Sequence, residues 1–182
     1  TSITGSMLRL SRLFDGMNET VLDRLASELQ VQTAAPGQVL IGEGQVASHM
    51  YVVIAGELEV IKANKTGCKA RMALLGPGDW VGEMAILDVK PRSATVTVLA
   101  PSTLVVLSAV DVTRLLYQEN VEQYAIFIRN IARELSRRLR VADGLIAQST
   151  STDDPRFRQA AQIQARIEGR RPSWFPSETL RA

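Results

Sequence analysis

The chain has 182 residues, 46% apolar and 22% charged, with 21 Lys plus Arg against 19 Asp plus Glu. That composition fits about one globular domain with enough chain to bury a core. Its single cysteine, Cys68, excludes an internal disulfide, an iron–sulfur cluster and a thiolate zinc site, and its single histidine, His49, excludes a multi-histidine metal centre, so no metal is expected.

Residues 1–150 balance to zero charge and 151–182 carry a net +2, and neither value marks a nucleic-acid-binding surface, so no direct nucleic-acid partner is expected. No run approaches the roughly 18 to 20 apolar residues that span a bilayer, and residues 1–11 lack the apolar centre of a signal peptide. A cytoplasmic protein without a membrane partner is expected, in keeping with one unpaired cysteine. Residues 1–6, before Met7, read as an expression-vector remnant outside the fold.

In chain order, residues 7–30 come first. Leu10, Leu13, Phe14, Met17, Val21, Leu22, Leu25 and Leu29 recur at spacings of three and four, which predicts short amphipathic helices broken near Asp15-Gly16, the second capped by Asn18 or Thr20. Over 31–110 the pattern shifts to short runs, 39–41, 50–54, 58–61, 71–75, 94–99 and 103–107, punctuated by Pro36-Gly37, Gly42-Glu43-Gly44, Ala55-Gly56, 64–67, Gly76-Pro77-Gly78-Asp79 and Ala100-Pro101. Many short strands at that spacing predict an antiparallel jelly-roll β-barrel, within an α+β fold flanked by N-terminal helices and a long C-terminal helix. Trp80 is expected to fill the barrel, and Met72 and Met84 to fill gaps in the core. His49 reads as a surface or packing residue, since no nucleophile or carboxylate lies near it in sequence.

Residues 111–148 hold that C-terminal helix. From about 121 to 148, Ile128, Ile131, Leu135, Leu139, Ala142 and Ile146 step by three and four while Arg129, Arg133, Arg137 and Arg140 lie mostly off the seam. Such a narrow seam is expected to pair with a copy of itself in a homodimer, with packing on its own barrel as the alternative. Residues 149–182 read as a linker and tail, either disordered or a docking segment for a protein partner through Trp174 and Phe175. Ile167-Glu168-Gly169-Arg170 matches a protease-site tetrapeptide used in expression vectors.

One stretch carries chemistry: Gly82-Glu83-Met84-Ala85-Ile86-Leu87-Asp88-Val89-Lys90-Pro91-Arg92-Ser93-Ala94. A short helix inserted between strands offers its first N–H groups to an anion, and Gly82 lets the backbone approach closely. Arg92 supplies a planar fork for two phosphate oxygens and Ser93 a hydroxyl. Glu83, acceptor-only when ionised, suits a sugar hydroxyl. Together they describe a pocket for a ribose joined to a phosphate of single negative charge.

Residues 82–94 resemble the phosphate-binding cassette of the cyclic nucleotide-binding domains found in catabolite activator proteins, kinase regulatory subunits and nucleotide-gated channels. The likeness covers roughly residues 8 to 148. It implies that Glu83 binds the ribose 2′-hydroxyl and Arg92 the cyclic phosphate, with Gly82, Ala85 and Ser93 completing the phosphate cradle and Met84 and Ala94 counted among the ligand-binding residues. In the activator branch the long helix brings a hydroxyl pair to adenine, and here Ala142 and Asp143 stand at those positions. An Asp carboxylate accepts two hydrogens from the guanine edge, so Asp143 with Ser93 raises cyclic GMP beside cyclic AMP.

The expected function is therefore a non-catalytic sensor of cAMP or cGMP that couples binding to its C-terminal helix. The alternative is a nucleotide-independent dimerisation or docking module of the same fold. A transcription factor would need paired apolar helices after the long helix, which the residues beyond 148 lack. A cupin-type enzyme would need several histidines.

Overall fold

The computed structural model describes residues 2–63, 67–88 and 90–149. They fall into two compact units, the first ending at Glu134 and the second beginning at Leu135. The expectations for the tail beyond 149, including Trp174, Phe175 and the tetrapeptide at 167–170, lie outside the described residues.

The N-terminal segment forms α1 (Gly5–Leu8), a 3-10 turn (Arg12–Phe14) and α2 (Glu19–Glu28). Each of the first two starts at a hydroxyl: Thr4 accepts from the Met7 N–H and Ser11 from the Leu13 N–H, the usual way of satisfying the first amides of a helix. Residues set aside from the fold take part in it, since Ile3 and Gly5 are buried. Asn18 occupies the cap position of α2 as expected, but its side chain makes no cap bond. Its backbone N–H donates instead to Gln123 Oε1 at 2.7 Å.

Six strands follow: β1 (Gln30–Ala34), β2 (Val39–Ile41), β3 (His49–Ala63), β4 (Lys69–Leu75), β5 (Trp80–Val81) and β6 (Thr95–Ser108). All pair antiparallel, in the path β1-β6-β3-β4, with β2 on β6 and β5 on β3. The α+β expectation of an antiparallel sheet with flanking helices is met. The sheet is not closed, however: β1 and β4 end the path, so it is a roll rather than a full barrel. Ile41, Tyr51, Val53, Leu58, Val98 and Leu104 form the centre of its apolar core, and Trp80 is buried as expected. Met72 and Met84 are corrected from core fillers to exposed residues, 61% and 55% accessible.

Two predicted breaks are kinks inside single long strands. The runs 50–54 and 58–61 join in β3 and the runs 94–99 and 103–107 join in β6, with register shifts where they cross between Val53 and Leu58. Turn residues there bend the ladder instead of ending it. Gly56 has φ of +100°, and a Cβ on it would stand 2.6 Å from the Cα of Ser102. Positive φ and a backbone obstacle act together, so Gly56→Ala is expected to cost about 2 to 4 kcal/mol. Chemical denaturation measures it, and a loss below 1 kcal/mol would show that the strands can separate there freely.

After β6, Ser108 and Asp111 form a capping box at α4 (Ala109–Val112). A π turn (Thr113–Tyr117) leads to α5 (Val121–Ser149), whose bounds are those predicted to within a residue. In the first unit, α5 up to Glu134 buries Gln123, Phe127, Asn130 and Ile131, with the Phe127 ring centroid 6.3 Å from that of Phe14. In the second unit, Leu139, Val141, Leu145 and Ile146 are exposed. Of the seam itself, Ile131 is buried and Ile128 half-buried in the first unit, while Leu139 and Ile146 are exposed in the second.

Candidate functional site

The cassette begins where β5 ends. Gly82 follows Val81 with φ of +90°, and a Cβ there would lie 2.6 Å from Arg92 Nη1 and 3.2 Å from the His49 carbonyl. Only glycine admits both the left-handed backbone and the arginine beside it. Glu83 then opens the four-residue helix α3 (Met84–Leu87), whose first turn closes through the Ala85 N–H to Gly82 O at 3.1 Å and the Ile86 N–H to Glu83 O at 3.0 Å.

Arg92 returns to the same place from the far end of the cassette. Its Nη1 donates to Gly82 O at 3.1 Å and its Nη2 to His49 O, and the residue is 7% exposed. Two of its five N–H groups are directed at these carbonyls. Its main chain is also paired, the N–H to Gln45 O at 2.8 Å and the carbonyl from the Gly44 N–H at 2.9 Å. Burial lowers its pKa from the free-arginine value, opposed by Tyr51 and by the negative field of Glu83.

Two aromatic-class groups stand next to the guanidinium. His49 Nε2 and Tyr51 Oη are 3.1 Å apart, their rings meeting edge to face at 5.2 Å. Burial, then the Arg92 cation, pushes His49 below the ordinary imidazole range. Burial raises Tyr51, with Arg92 opposing. A neutral imidazole and a neutral phenol thus stand beside the buried Arg92 cation, which also lies in the negative field of Glu83.

Of the residues singled out in the sequence, Gly82, Glu83, Ala85 and Arg92 are gathered here, with Glu83 and Ala85 buried at 3% and 5% exposure. Ala94 is half-buried, Ser93 is exposed, and Met84 is exposed. The Ala85 N–H, expected in a phosphate cradle, is bonded to Gly82 O. Asp143 is an exposed residue of α5 in the second unit. Among the described residues no group of three or more His, Cys, Asp or Glu is placed to hold a metal, and no helix is long and apolar enough to cross a membrane.

Sequence reasoning missed His49, Gln45 and Gly44. His49 and Gln45 act on Arg92 through main-chain carbonyls, which every residue has, so no residue type announces them. The one available signal was Gly42-Glu43-Gly44, a turn that had to close on something.

Comparison with known proteins gives this arrangement a setting. Residues 31–119 match the family model described as cyclic nucleotide-binding domain. The "Cyclic AMP receptor protein" of Thermus thermophilus is 30% identical over 133 residues, 73% of this chain and 59% of that protein. The "cAMP-dependent protein kinase regulatory subunit" of Yarrowia lipolytica is 41% identical over 75 residues, 41% of this chain and 19% of that one. The crystal structure of the Thermus thermophilus catabolite activator protein superposes with a TM-score of 0.68 at 29% identity, covering 76% of this chain and 62% of that one. The chain spans 59% and 64% of the length of the first two bacterial regulators it matches by sequence.

Proposed function

We propose, from the premise that residues 31–119 form a domain of the cyclic nucleotide-binding family, that this chain is a non-catalytic sensor of a cyclic mononucleotide. In this reading Arg92 takes the cyclic phosphate and Glu83 the ribose 2′-hydroxyl, with Gly82, Met84, Ala85, Ser93 and Ala94 around them. The observation that carries it is a guanidinium buried at the cassette and seated on two neutral carbonyls. Burying a cation is unfavourable unless an anion repays it, and the field of the Glu83 carboxylate opposes that cost without outweighing it. A monoanionic cyclic phosphate, accepting the remaining N–H groups, supplies that charge without a second negative charge to meet Glu83.

Calorimetric titration with cAMP and cGMP tests the reading. Micromolar binding of either supports it; no heat with both at millimolar ligand overturns it and leaves a docking module of the same fold. The relatives named for cAMP support that nucleotide as the first choice. Asp143 supports cGMP through its carboxylate, and Asp143→Ala lowering cGMP affinity alone would assign it that role.

Occupancy is read out, in this proposal, through α5 to a second copy of the chain. Leu139 and Ile146 lie seven residues apart on one helical face and are 62% and 57% exposed, a seam of the kind that pairs with its own copy. Binding coupled to that pairing needs only about 1 to 3 kcal/mol of differential affinity between helix arrangements. Leu139→Arg is expected to convert dimer to monomer in light scattering of the full chain. A wild-type chain that is already monomeric at high micromolar concentration ends the dimer proposal.

A further inference from the structure

The guanidinium of Arg92 is held by carbonyls of the roll, but its main chain is held by the loop joining β2 to β3. The Arg92 N–H to Gln45 O and the Gly44 N–H to Arg92 O form a two-bond ladder that fixes the residue just before its side chain departs. The loop is also tied by the Glu43 N–H to Thr95 Oγ1 and by Glu43 Oε2, which accepts the Ala63 N–H, each at 3.2 Å, but Glu43, Gly44, Gln45 and Val46 are all exposed and no apolar burial orders them. Gln45 closes the loop on itself. Its N–H donates to Gly42 O at 3.2 Å, and its side-chain Oε1 accepts the Gly42 N–H at 3.1 Å. The amide lies so near that a Cβ on residue 42 would stand 2.8 Å from Gln45 Cδ. Glycine at 42 is what leaves it room.

We propose that Gln45, outside the cassette and exposed, is a positioning residue for Arg92. Its side chain folds the β2–β3 loop so that Gln45 O and the Gly44 N–H meet the Arg92 main chain, and the guanidinium is aimed before a phosphate arrives. The inference rests on the reading of Arg92 as the phosphate ligand. Its physical basis is preorganisation: a group already held loses less freedom when it binds. Gly42 belongs to the same device, as the position whose missing side chain admits the amide.

The test uses the full chain titrated with cAMP and cGMP. Gln45→Ala is expected to weaken binding about five- to tenfold, the range for freeing one held side chain. Gly42→Ala is expected to act in the same direction, since its methyl displaces the flexible end of Gln45 without touching Arg92. The double variant should bind no more weakly than the weaker single one, because both remove one contact. Gln45→Glu keeps an acceptor for the Gly42 N–H and should restore affinity to within about twofold.

Hydrogen exchange at the Arg92 amide, measured without nucleotide, gives a separate readout: faster in Gln45→Ala and Gly42→Ala, unchanged in Gln45→Glu. If the wild type binds, Arg92→Ala weakens binding at least tenfold, and the Gln45 and Gly42 variants behave as wild type, the positioning role is overturned while the phosphate reading stands. If the wild type binds neither nucleotide, the phosphate reading falls and this inference with it.

Discussion

Arg92→Ala is expected to raise the dissociation constant for the cyclic nucleotide at least tenfold, and toward a hundredfold, while the protein stays folded. Each hydrogen bond from a guanidinium to an anionic oxygen contributes about 1.5 to 3 kcal/mol, and 1.4 kcal/mol is about a factor of ten in affinity. The fold should tolerate the change because two effects oppose. Removing the side chain loses its bonds to Gly82 O and His49 O, but it also releases a cation from a site where it is 7% exposed, so the net change in stability is expected within about 1 kcal/mol. Arg92→Lys should recover little of the affinity, since an ammonium lacks the fork that spans two carbonyls and a phosphate. Titration calorimetry beside thermal melts decides the matter: unchanged affinity in a folded Arg92→Ala protein removes the phosphate role.

Part of the candidate site was legible in the sequence because its residue types are unusual together. A glycine, a carboxylate and an arginine spaced over Gly82, Glu83 and Arg92 between strand-like runs have few other uses, and the structure gathers all three. The long helix was legible for a different reason, a periodicity sustained from Ile128 to Ile146. What was not legible depends on contacts that side-chain types do not encode. Ala55-Gly56 and Ala100-Pro101 look like strand ends, and only the approach of Gly56 to Ser102 shows that two strands bend together there. β1 went unseen because Gln30–Ala34 has only a half-apolar pattern and is a strand by virtue of its ladder with β6. The exposure of Met72 has a similar origin: the register shift between Val60 and Ile61, opposite Ala73 and Arg71 on β4, leaves Met72 outside the pairing. Tertiary pairing overrode local preference in each case.

The seam of α5 shows why periodicity alone could not choose between a partner and the chain's own core. A stripe of apolar residues states that one face will be buried without naming what buries it. The structure answers for the turns up to Glu134: two amide side chains beside that stripe are buried and bonded to the N-terminal segment. Asn130 Nδ2 donates to Leu13 O and to Asp15 O, each at 2.9 Å, and Gln123 Oε1 accepts the Asn18 N–H. Neither residue would be recommended by an apolar seam, yet both fix which surface the helix meets, because a buried amide accepts few alternative seats.

Phe127→Ala is accordingly expected to be the most destabilising of the substitutions considered, at about 3 to 5 kcal/mol. Phe127 is 0% exposed and Phe14 1%, so the deletion opens a space between α5 and the Arg12–Phe14 turn that neighbouring side chains cannot fill without leaving their own contacts. For a protein of this length that corresponds to a fall in melting temperature of roughly 10 °C. Asn130→Ala should cost about 2 to 3 kcal/mol by a different route, since it leaves the Leu13 and Asp15 carbonyls without their donor. The two routes can be told apart. Phe127→Leu, which restores volume, should recover more than half of the loss, whereas Asn130→Leu, which restores volume without a donor, should recover little. Val141→Ala serves as the control on the same helix, expected within about 0.5 kcal/mol because that side chain is exposed and lies off the seam. Should Phe127→Ala melt with the wild type, the first turns of α5 are not seated on the N-terminal helices, and the division of the seam between its own core and a second copy loses its basis.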